Sequence, residues 1–309
     1  MTISRELIVD TLRSRVLRGV QAGTLEAGDR LPTSRELATE FDVDYRLVIS
    51  AYKTLESEGL VDLRPRGGIY VASGGTSNGG IPPLPEGWLA DMLTEGLGRE
   101  IPGPELHEWL RRSLETLRLR AVAIATTSDQ GFGLCRELRD DFGMEAEWLL
   151  AEEVRGASAP TISLRRADLV VTTAAHAEWT RTLAAELKKQ VIVIDVRPEL
   201  AGGEWALLLR RPVYAVVGTA EFGELLRRFY KDVPGIENLN VIVYGRDDVQ
   251  QIPPGAPTYV TQRVRSQLGD ARIPGRILPA ARTIASDSAR EIFAFIVRSN
   301  IEAMSRVVR

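Results

Sequence analysis

The alternation of apolar and polar positions changes period along this chain, and the changes mark its elements. Val48, Ala51, Tyr52 and Leu55 recur at i, i+3, i+4 and i+7, the spacing that gathers apolar side chains on one helix face. It predicts a helix from Asp44 to Ser57, ended by Gly59. A shorter helix precedes it, opening at Thr33-Ser34-Arg35-Glu36-Leu37-Ala38 and turning at Phe41-Asp42-Val43. Thr33 followed by Glu36 is a capping box, in which a hydroxyl and a carboxylate satisfy free amides at a helix start. Asp44 is placed to cap the second helix in the same way. Two short apolar runs follow, Leu60 to Leu63 and Ile69 to Ala72, joined by Arg64-Pro65-Arg66-Gly67-Gly68. The glycines permit a tight hairpin, because glycine adopts positive φ without steric cost. The predicted order is helix, turn, helix, basic-tipped hairpin, which is a winged helix-turn-helix.

That arrangement usually reads double-stranded DNA. The face opposite the apolar stripe carries Tyr45, Arg46, Ile49 and Lys53. A major groove admits one helix, and residues near the helix start reach the base edges. Tyrosine there can donate to a phosphate or a base edge. Isoleucine can meet a thymine methyl group, or simply pack inward. Arg64 and Arg66 at the hairpin tip are placed for phosphates or a minor groove. The plainer alternative is a short helical domain with a decorative hairpin.

The first seventy or so residues resemble a GntR-family DNA-binding domain. Gly23-Thr24-Leu25-Glu26-Ala27-Gly28-Asp29-Arg30-Leu31-Pro32 resembles the family's approach to its helix-turn-helix. Ser34-Arg35-Glu36-Leu37-Ala38 is similar to its first helix, and Leu55-Glu56-Ser57-Glu58-Gly59-Leu60-Val61 to the end of its recognition helix. The resemblance implies DNA contacts from Arg35, from the start of the recognition helix and from the wing glycines. Tyr45 and Ile49 stand where many members carry arginine, which bears on the operator sequence and not on the DNA-binding role. The candidate DNA-contacting set is Thr33, Ser34, Arg35, Asp44, Tyr45, Arg46, Ile49, Lys53, Arg64, Arg66, Gly67 and Gly68.

Residues 1–73 are thus expected to form an α+β winged helix-turn-helix domain. Residues 74–87 read as a linker, flexible in its Gly/Ser half and stiffened by proline in the other. Residues 88–309 are expected to be an effector-binding and dimerisation domain. Residues 88 to 120 look helical, with a break at Ile101-Pro102-Gly103-Pro104. Trp88, Leu89, Met92 and Leu93 form one apolar patch there, and Trp109, Leu110 and Leu114 another. Such a segment forms a dimer contact or covers the next sheet.

From Ala121 the pattern becomes alternating strands and helices. Strands are expected at Ala121 to Thr126, Glu145 to Leu150, Asp168 to Thr173 and Val191 to Val196. Helices are expected from about Asp129 to Phe142 and from about Ala175 to Lys189. The pattern then restarts, with strands at Arg211 to Val217, Leu239 to Tyr244 and Thr258 to Thr261, a helix near Glu221 to Tyr230, and a closing helix from Ser286 to Met304. Continuous Val and Ile runs between helices imply an α/β domain with parallel sheets covered on both faces. The restart suggests two similar lobes, like periplasmic-binding-protein folds; the alternative is one continuous sheet.

In either arrangement a ligand sits at the carboxyl ends of strands, where helices begin. The residues there are Thr126, Thr127 and Ser128; Thr172 and Thr173; Gly218 and Thr219; Thr261 and Gln262. Hydroxyls and free helix-start amides make a cup suited to a small polar or anionic effector, unless they are only N-caps. Candidate effector contacts are Thr127, Ser128, Thr173, His176, Thr219, Thr261 and Arg263. His176 is either such a contact or a solvated helix residue, and Arg263 and Arg265 pair with an anion or face water.

Composition narrows the class. The chain has 309 residues, 44% of them apolar and 26% charged, and a net charge of −3, ordinary for a soluble globular protein of two domains. Residues 1–73 hold ten Lys or Arg against eleven Asp or Glu. DNA affinity must therefore come from where charge is placed, with strong salt dependence. One cysteine, Cys135, excludes a disulfide framework within the chain and suits the cytoplasm. It reads as a small packed residue, and His107 as structural. No signal peptide and no apolar run near the roughly 18 residues of a membrane span are apparent.

Catalytic signals are missing. There is no GxxxxGK[ST] loop, no GxGxxG after a strand, no nucleophile elbow, and no metal-ligand spacing among two histidines and one cysteine. Asp247-Asp248 reads as a loop. The aminotransferase-like domain of MocR-type regulators is larger than the region after the linker, and Lys188, Lys189 and Lys231 do not look like Schiff-base lysines. The expectation is a ligand-responsive, homodimeric regulator on a palindromic operator, without cofactor or metal. The alternatives are an enzyme with an attached DNA-binding domain, or an architectural DNA binder whose C-terminal part only dimerises.

Overall fold

Thr33 and Asp44 set the local structure of the N-terminal domain. In the computed structural model, which describes residues 4–21, 25–65, 67–72, 86–115, 117–196, 203–269, 272–279 and 282–307, the domain runs α1 (Arg5–Gln21), β1 (Arg30–Leu31), α2 (Ser34–Phe41), α3 (Tyr45–Ser57), β2 (Val61–Arg64) and β3 (Gly68–Val71). The Thr33 hydroxyl accepts from the Glu36 amide at 3.2 Å, and the Glu36 carboxylate accepts from the Thr33 amide at 2.6 Å. That backbone donor holds the Glu36 carboxyl below its usual range. Asp44 accepts from the Arg46 amide at 2.7 Å. Asp42 takes a left-handed conformation, φ 52°, and stops α2 sharply before α3 begins. Val48, Ala51, Tyr52 and Leu55 are buried against α1 and α2, as their spacing requires. The strands form an antiparallel sheet in the order β1-β3-β2. The hairpin strands lie one residue from the expected ends.

Two helices follow, α4 (Glu86–Leu97) and α5 (Gly103–Glu115), broken where Ile101-Pro102 was expected to interrupt them. Most of the predicted linker lies outside the described residues.

The α/β region contains two sheets, which sets aside the single continuous sheet. β4 (Arg120–Ala125), β5 (Glu145–Leu150), β6 (Leu169–Thr173) and β7 (Gln190–Ile194) form one sheet, with α6 (Ser128–Asp140) between the first two. Its order is β5-β4-β6-β7, all parallel. β8 (Val213–Val217), β9 (Leu239–Val243), β10 (Pro257–Val260) and β11 (Arg276–Ile277) form the other, in the order β11-β10-β8-β9, again parallel. In each sheet the first strand in the chain lies between the second and the third. Each sheet has an apolar cluster on both faces, which explains the unbroken Val and Ile runs. The helix Ser286–Val307 returns to the first lobe, where Ile292, Phe295 and Ile296 join its core. Buried Asn300 ties this helix to the end of α5.

Several elements escaped the sequence pattern. The expected helix from Ala175 to Lys189 is a 3-10 turn, Ala174–His176, followed by the helix Ala177–Glu186. The helices Ala151–Gly156, Ile162–Arg166, Glu204–Leu208 and Gln262–Gln267 are too short to show a period. Among the described residues no helix is long and apolar enough to cross a membrane.

The N-terminal domain packs on the second lobe. One apolar cluster runs from Phe41, Val48 and Leu55 through Trp205, Leu208 and Val213 to Tyr230. A buried charge network reinforces it. Arg15 on α1 bonds Glu40 on α2 at 2.7 Å and Glu204 at 2.6 Å. Arg18 reaches Glu204 at 3.1 Å, and Arg276 of β11 bonds the other oxygen of Glu40. The Glu40 side chain is only 6% exposed and that of Arg15 only 8%. Truncating one partner leaves buried charge uncompensated, at a cost of about 3–5 kcal/mol. Glu40→Ala is expected to lower the unfolding free energy by about that amount, measured by urea titration, whereas Asp10→Ala on exposed α1 surface should change it little.

Candidate functional site

The first candidate surface is formed by α3 and the hairpin. Capping at Asp44 starts α3 so that its first turn faces outward. Tyr45 is 44% exposed, and Arg46 and Lys53 are also exposed. Arg35, on α2, is exposed as well. Ile49 is half-buried and lines a groove of about 340 Å³ between α3 and the hairpin, together with Thr33, Ser34, Leu63, Arg64 and Gly68. It is therefore neither sealed in the core nor fully presented. Tyr52 forms the groove floor, donating its hydroxyl to the Pro32 carbonyl at 2.8 Å. Burial raises its phenol well above the usual value.

The hairpin is fixed by its own side chains. Gly68 takes φ 117°, a conformation that side chains disfavour. Gly67 does not share it and instead donates its amide to the Arg64 carbonyl at 2.9 Å. The Tyr70 hydroxyl donates to the Gly67 carbonyl at 2.9 Å, and the Arg64 guanidinium lies 4.2 Å from the Tyr70 ring centre. Arg66 lies outside the described residues. The exposed members of the predicted set thus come from α2, the outward face of α3 and the hairpin tip.

The second candidate site lies between the lobes. Thr127, Thr219 and Thr261 each cap the helix that follows, accepting from Gln130, Phe222 and Val264 amides. The cap reading is correct for these three, but two of them do more. Thr219 donates to Asp129 at 3.3 Å, and Thr261 donates to it at 2.6 Å. The Gly218 amide donates to the same carboxylate at 2.9 Å. Arg263 bonds Ser128 and comes within 3.9 Å of Asp129. Thr127, Ser128, Thr219, Thr261 and Arg263 are therefore gathered at one place, around an acid that sequence reasoning did not single out. The one local sign was an acidic residue in the first turn of α6; nothing near it in the chain announces its second-lobe partners.

Thr173 and His176 form a separate group within the first lobe. Thr173 makes no side-chain cap bond. His176 Nε2 lies 2.9 Å from the Thr126 hydroxyl, so His176 is half-buried against Thr126 and not a solvated helix residue. Arg265 also corrects expectation. Half-buried, it donates to the Val260 carbonyl at 3.0 Å and to that of Leu278, and among the described residues it forms no ion pair. Burial lowers its pKa. Cys135 is a packed core residue whose thiol burial pushes up to about 12. His107 sits against the Pro104 carbonyl at 2.8 Å. Asp247 is a loop acid paired with Arg246. Among the described residues no group of three or more His, Cys, Asp or Glu could hold a metal ion.

The α3 surface and its hairpin define a winged helix-turn-helix. The family described as "Bacterial regulatory proteins, gntR family" matches residues 7–71. The HTH-type transcriptional regulator Rv1152 of Mycobacterium tuberculosis is 43% identical over 65 residues, covering 21% of this chain and 54% of that relative. The chain therefore spans about half the length of this curated relative. The HTH-type transcriptional repressor YtrA of Bacillus subtilis is 28% identical over 109 residues, covering 34% of this chain and 80% of the relative. The solved structure of YtrA from Sulfolobus acidocaldarius, a GntR-family transcription factor, is 25% identical, covers 36% of this chain and 87% of that one, and has a TM-score of 0.24. The N-terminal domain is a GntR-family helix-turn-helix domain.

His176 gives the site a pH signature. Burial, and then the charge of Arg155, lower its pKa from 6.5. The unfolded chain takes up a proton near 6.5 that the folded imidazole resists, so His176 makes stability fall as pH drops through that value. His176→Gln is expected to flatten the dependence of Tm on pH between about 7.5 and 5.5, measured by thermal melts in matched buffers.

Proposed function

We propose that this chain is a sequence-specific DNA-binding transcriptional regulator of the GntR type. The observation that carries the reading is the outward face of α3, with Tyr45, Arg46 and Lys53 exposed beside Arg35 and Arg64 at the hairpin tip. On this reading α3 enters the major groove, Tyr45 and Ile49 meet base edges, and Arg35, Lys53 and the hairpin hold the phosphates. The names of the relatives, a transcriptional regulator and a transcriptional repressor, point the same way.

The regulator acts as a homodimer on a palindromic operator, its half-sites spaced by about one helical turn or a multiple of it. Its operator affinity responds to a small polar effector held by the two α/β lobes, which work in the manner of a periplasmic-binding-protein-like sensor. The support is the repeated strand order and the convergence of Thr127, Ser128, Thr219, Thr261 and Arg263. Coupling is reciprocal: operator DNA shifts effector affinity by the same factor. Thr173 and His176, the separate group within the first lobe, are further candidate effector contacts.

In vitro selection from random duplexes, followed by anisotropy titrations, tests the DNA-binding reading. Binding with no sequence preference would sink it. Arg35→Ala and Lys53→Ala are each expected to weaken binding to all sequences and to reduce the salt slope by about 1. Tyr45→Arg is expected to change the preferred operator; an unchanged preference places Tyr45 outside the readout set.

A further inference from the structure

Asp129 occupies a place that an external anion would suit. Its carboxylate is fully buried and accepts from Gly218, Thr219 and Thr261, all of the second lobe. Its own helix, α6, belongs to the first. Thr219 and Thr261 each accept a helix-start amide, from Phe222 and Val264. Those bonds fix the hydroxyl lone pairs and leave the hydroxyl protons to point at Asp129. Gly218 completes the cup by lacking a side chain, since a Cβ there would sit 2.9 Å from Asp129 Oδ2. Gly218 and Thr219 follow β8, and Thr261 follows β10, the adjacent strands between which the order of the second sheet reverses. That crevice is where open α/β sheets bind ligands. Here a carboxylate from the neighbouring lobe fills it.

We infer that Asp129 is a built-in carboxylate ligand of the second lobe, an interlobe latch that a diffusible small carboxylate opens by taking its place. This rests on the effector-controlled reading above. Arg263 is the entry point. Its side chain is 29% exposed, bonds Ser128, and stands 3.9 Å from Asp129. It can meet an incoming anion before the latch parts. Arg136, donating to Gln262 at 2.9 Å, is a further interlobe tie and lies toward the surface.

Opening the latch reaches the DNA reader through the packing described above. Ion pairs leaving the N-terminal domain end on the second lobe, at Glu204, Arg276, Arg210 and Arg211. The reader therefore travels with the lobe that Asp129 holds against the other. A tethered carboxylate competes at an effective concentration on the order of millimolar, so a diffusible acid opens the latch only when it gains contacts that Asp129 lacks.

The test is chemical rescue in the full-length chain. Asp129→Ala empties the cup and is expected to lower Tm by about 5 °C. Sodium formate should restore at least half of that loss, and sodium chloride at equal ionic strength should not. Adding Thr261→Val to Asp129→Ala should abolish the formate response. The parent chain, its cup already filled, should respond alike to both salts. Equal effects of formate and chloride on Asp129→Ala, or a formate response that survives Thr261→Val, overturn the proposal. If Asp129→Ala is insoluble, the same comparison is made on soluble yield, where equal yields in the two salts overturn it. Operator affinity of the parent chain across small carboxylates is measured separately. Rescue without any change in that affinity removes the effector reading and leaves Asp129 as a structural carboxylate ligand.

Discussion

The buried contact of Arg15 with Glu40 and Glu204 is the constraint on which the arrangement of the molecule turns. Glu40 lies on the first helix of the helix-turn-helix, Glu204 at the start of the second lobe, and Arg15 on the helix between them in space. Ions so far from water are stable only with near-complete pairing. Satisfying them requires the reader to hold one orientation on the second lobe. Arg18 and Arg276 supply the remaining cations; burial, with Arg15 nearby, moves the Arg276 pKa down to about 10, so it stays charged at neutral pH. The adjoining apolar cluster supplies the attraction, and the ion pairs supply direction. A reader on a Gly/Pro tether with no such contacts would sample many orientations.

The same logic operates at the lobe interface with one charge in place of several. Asp129 is held by two hydroxyls and an amide, with Arg263 near enough to contribute. Because the two sheets repeat one strand order, equivalent strand ends face the interlobe region. The symmetry is broken by side chains: the second lobe's crevice takes a carboxylate, while the first lobe's strand ends are closed by Thr126 and His176. The chain after β11 returns to the first lobe, where Glu137 accepts from the amides of Thr283 and Ile284. The two lobes are thus joined by the path of the chain, by the buried Asp129, and by the Arg263–Ser128 and Arg136–Gln262 bonds nearer the surface.

Local features of the reader were legible because their causes are local. The capping box of Thr33 and Glu36, the cap at Asp44 and the stripe from Val48 to Leu55 involve residues within a turn or two of each other. Strand positions in the α/β region were also legible, since strands buried on both faces read as Val and Ile runs. The 3-10 turn at Ala174–His176 was not, because alanine spacing fits a helix there and the partner of His176, Thr126, lies fifty positions away in the chain. Arg265 looked like a free cation because its partners, the Val260 and Leu278 carbonyls, are set by strand packing.

By itself, the sequence determined the kind of reader this protein carries, the alternation of its α/β elements, and the hydroxyls that stand at strand ends. Periodicity, capping and turn chemistry act over a few residues and survive without tertiary context. Tertiary structure decided which hydroxyls converge, that Asp129 fills the cup they form, and that the reader is fastened to the second lobe by Glu40 and Glu204. These depend on pairings between residues 90 to 236 positions apart, and no local pattern encodes which buried charge will find which partner.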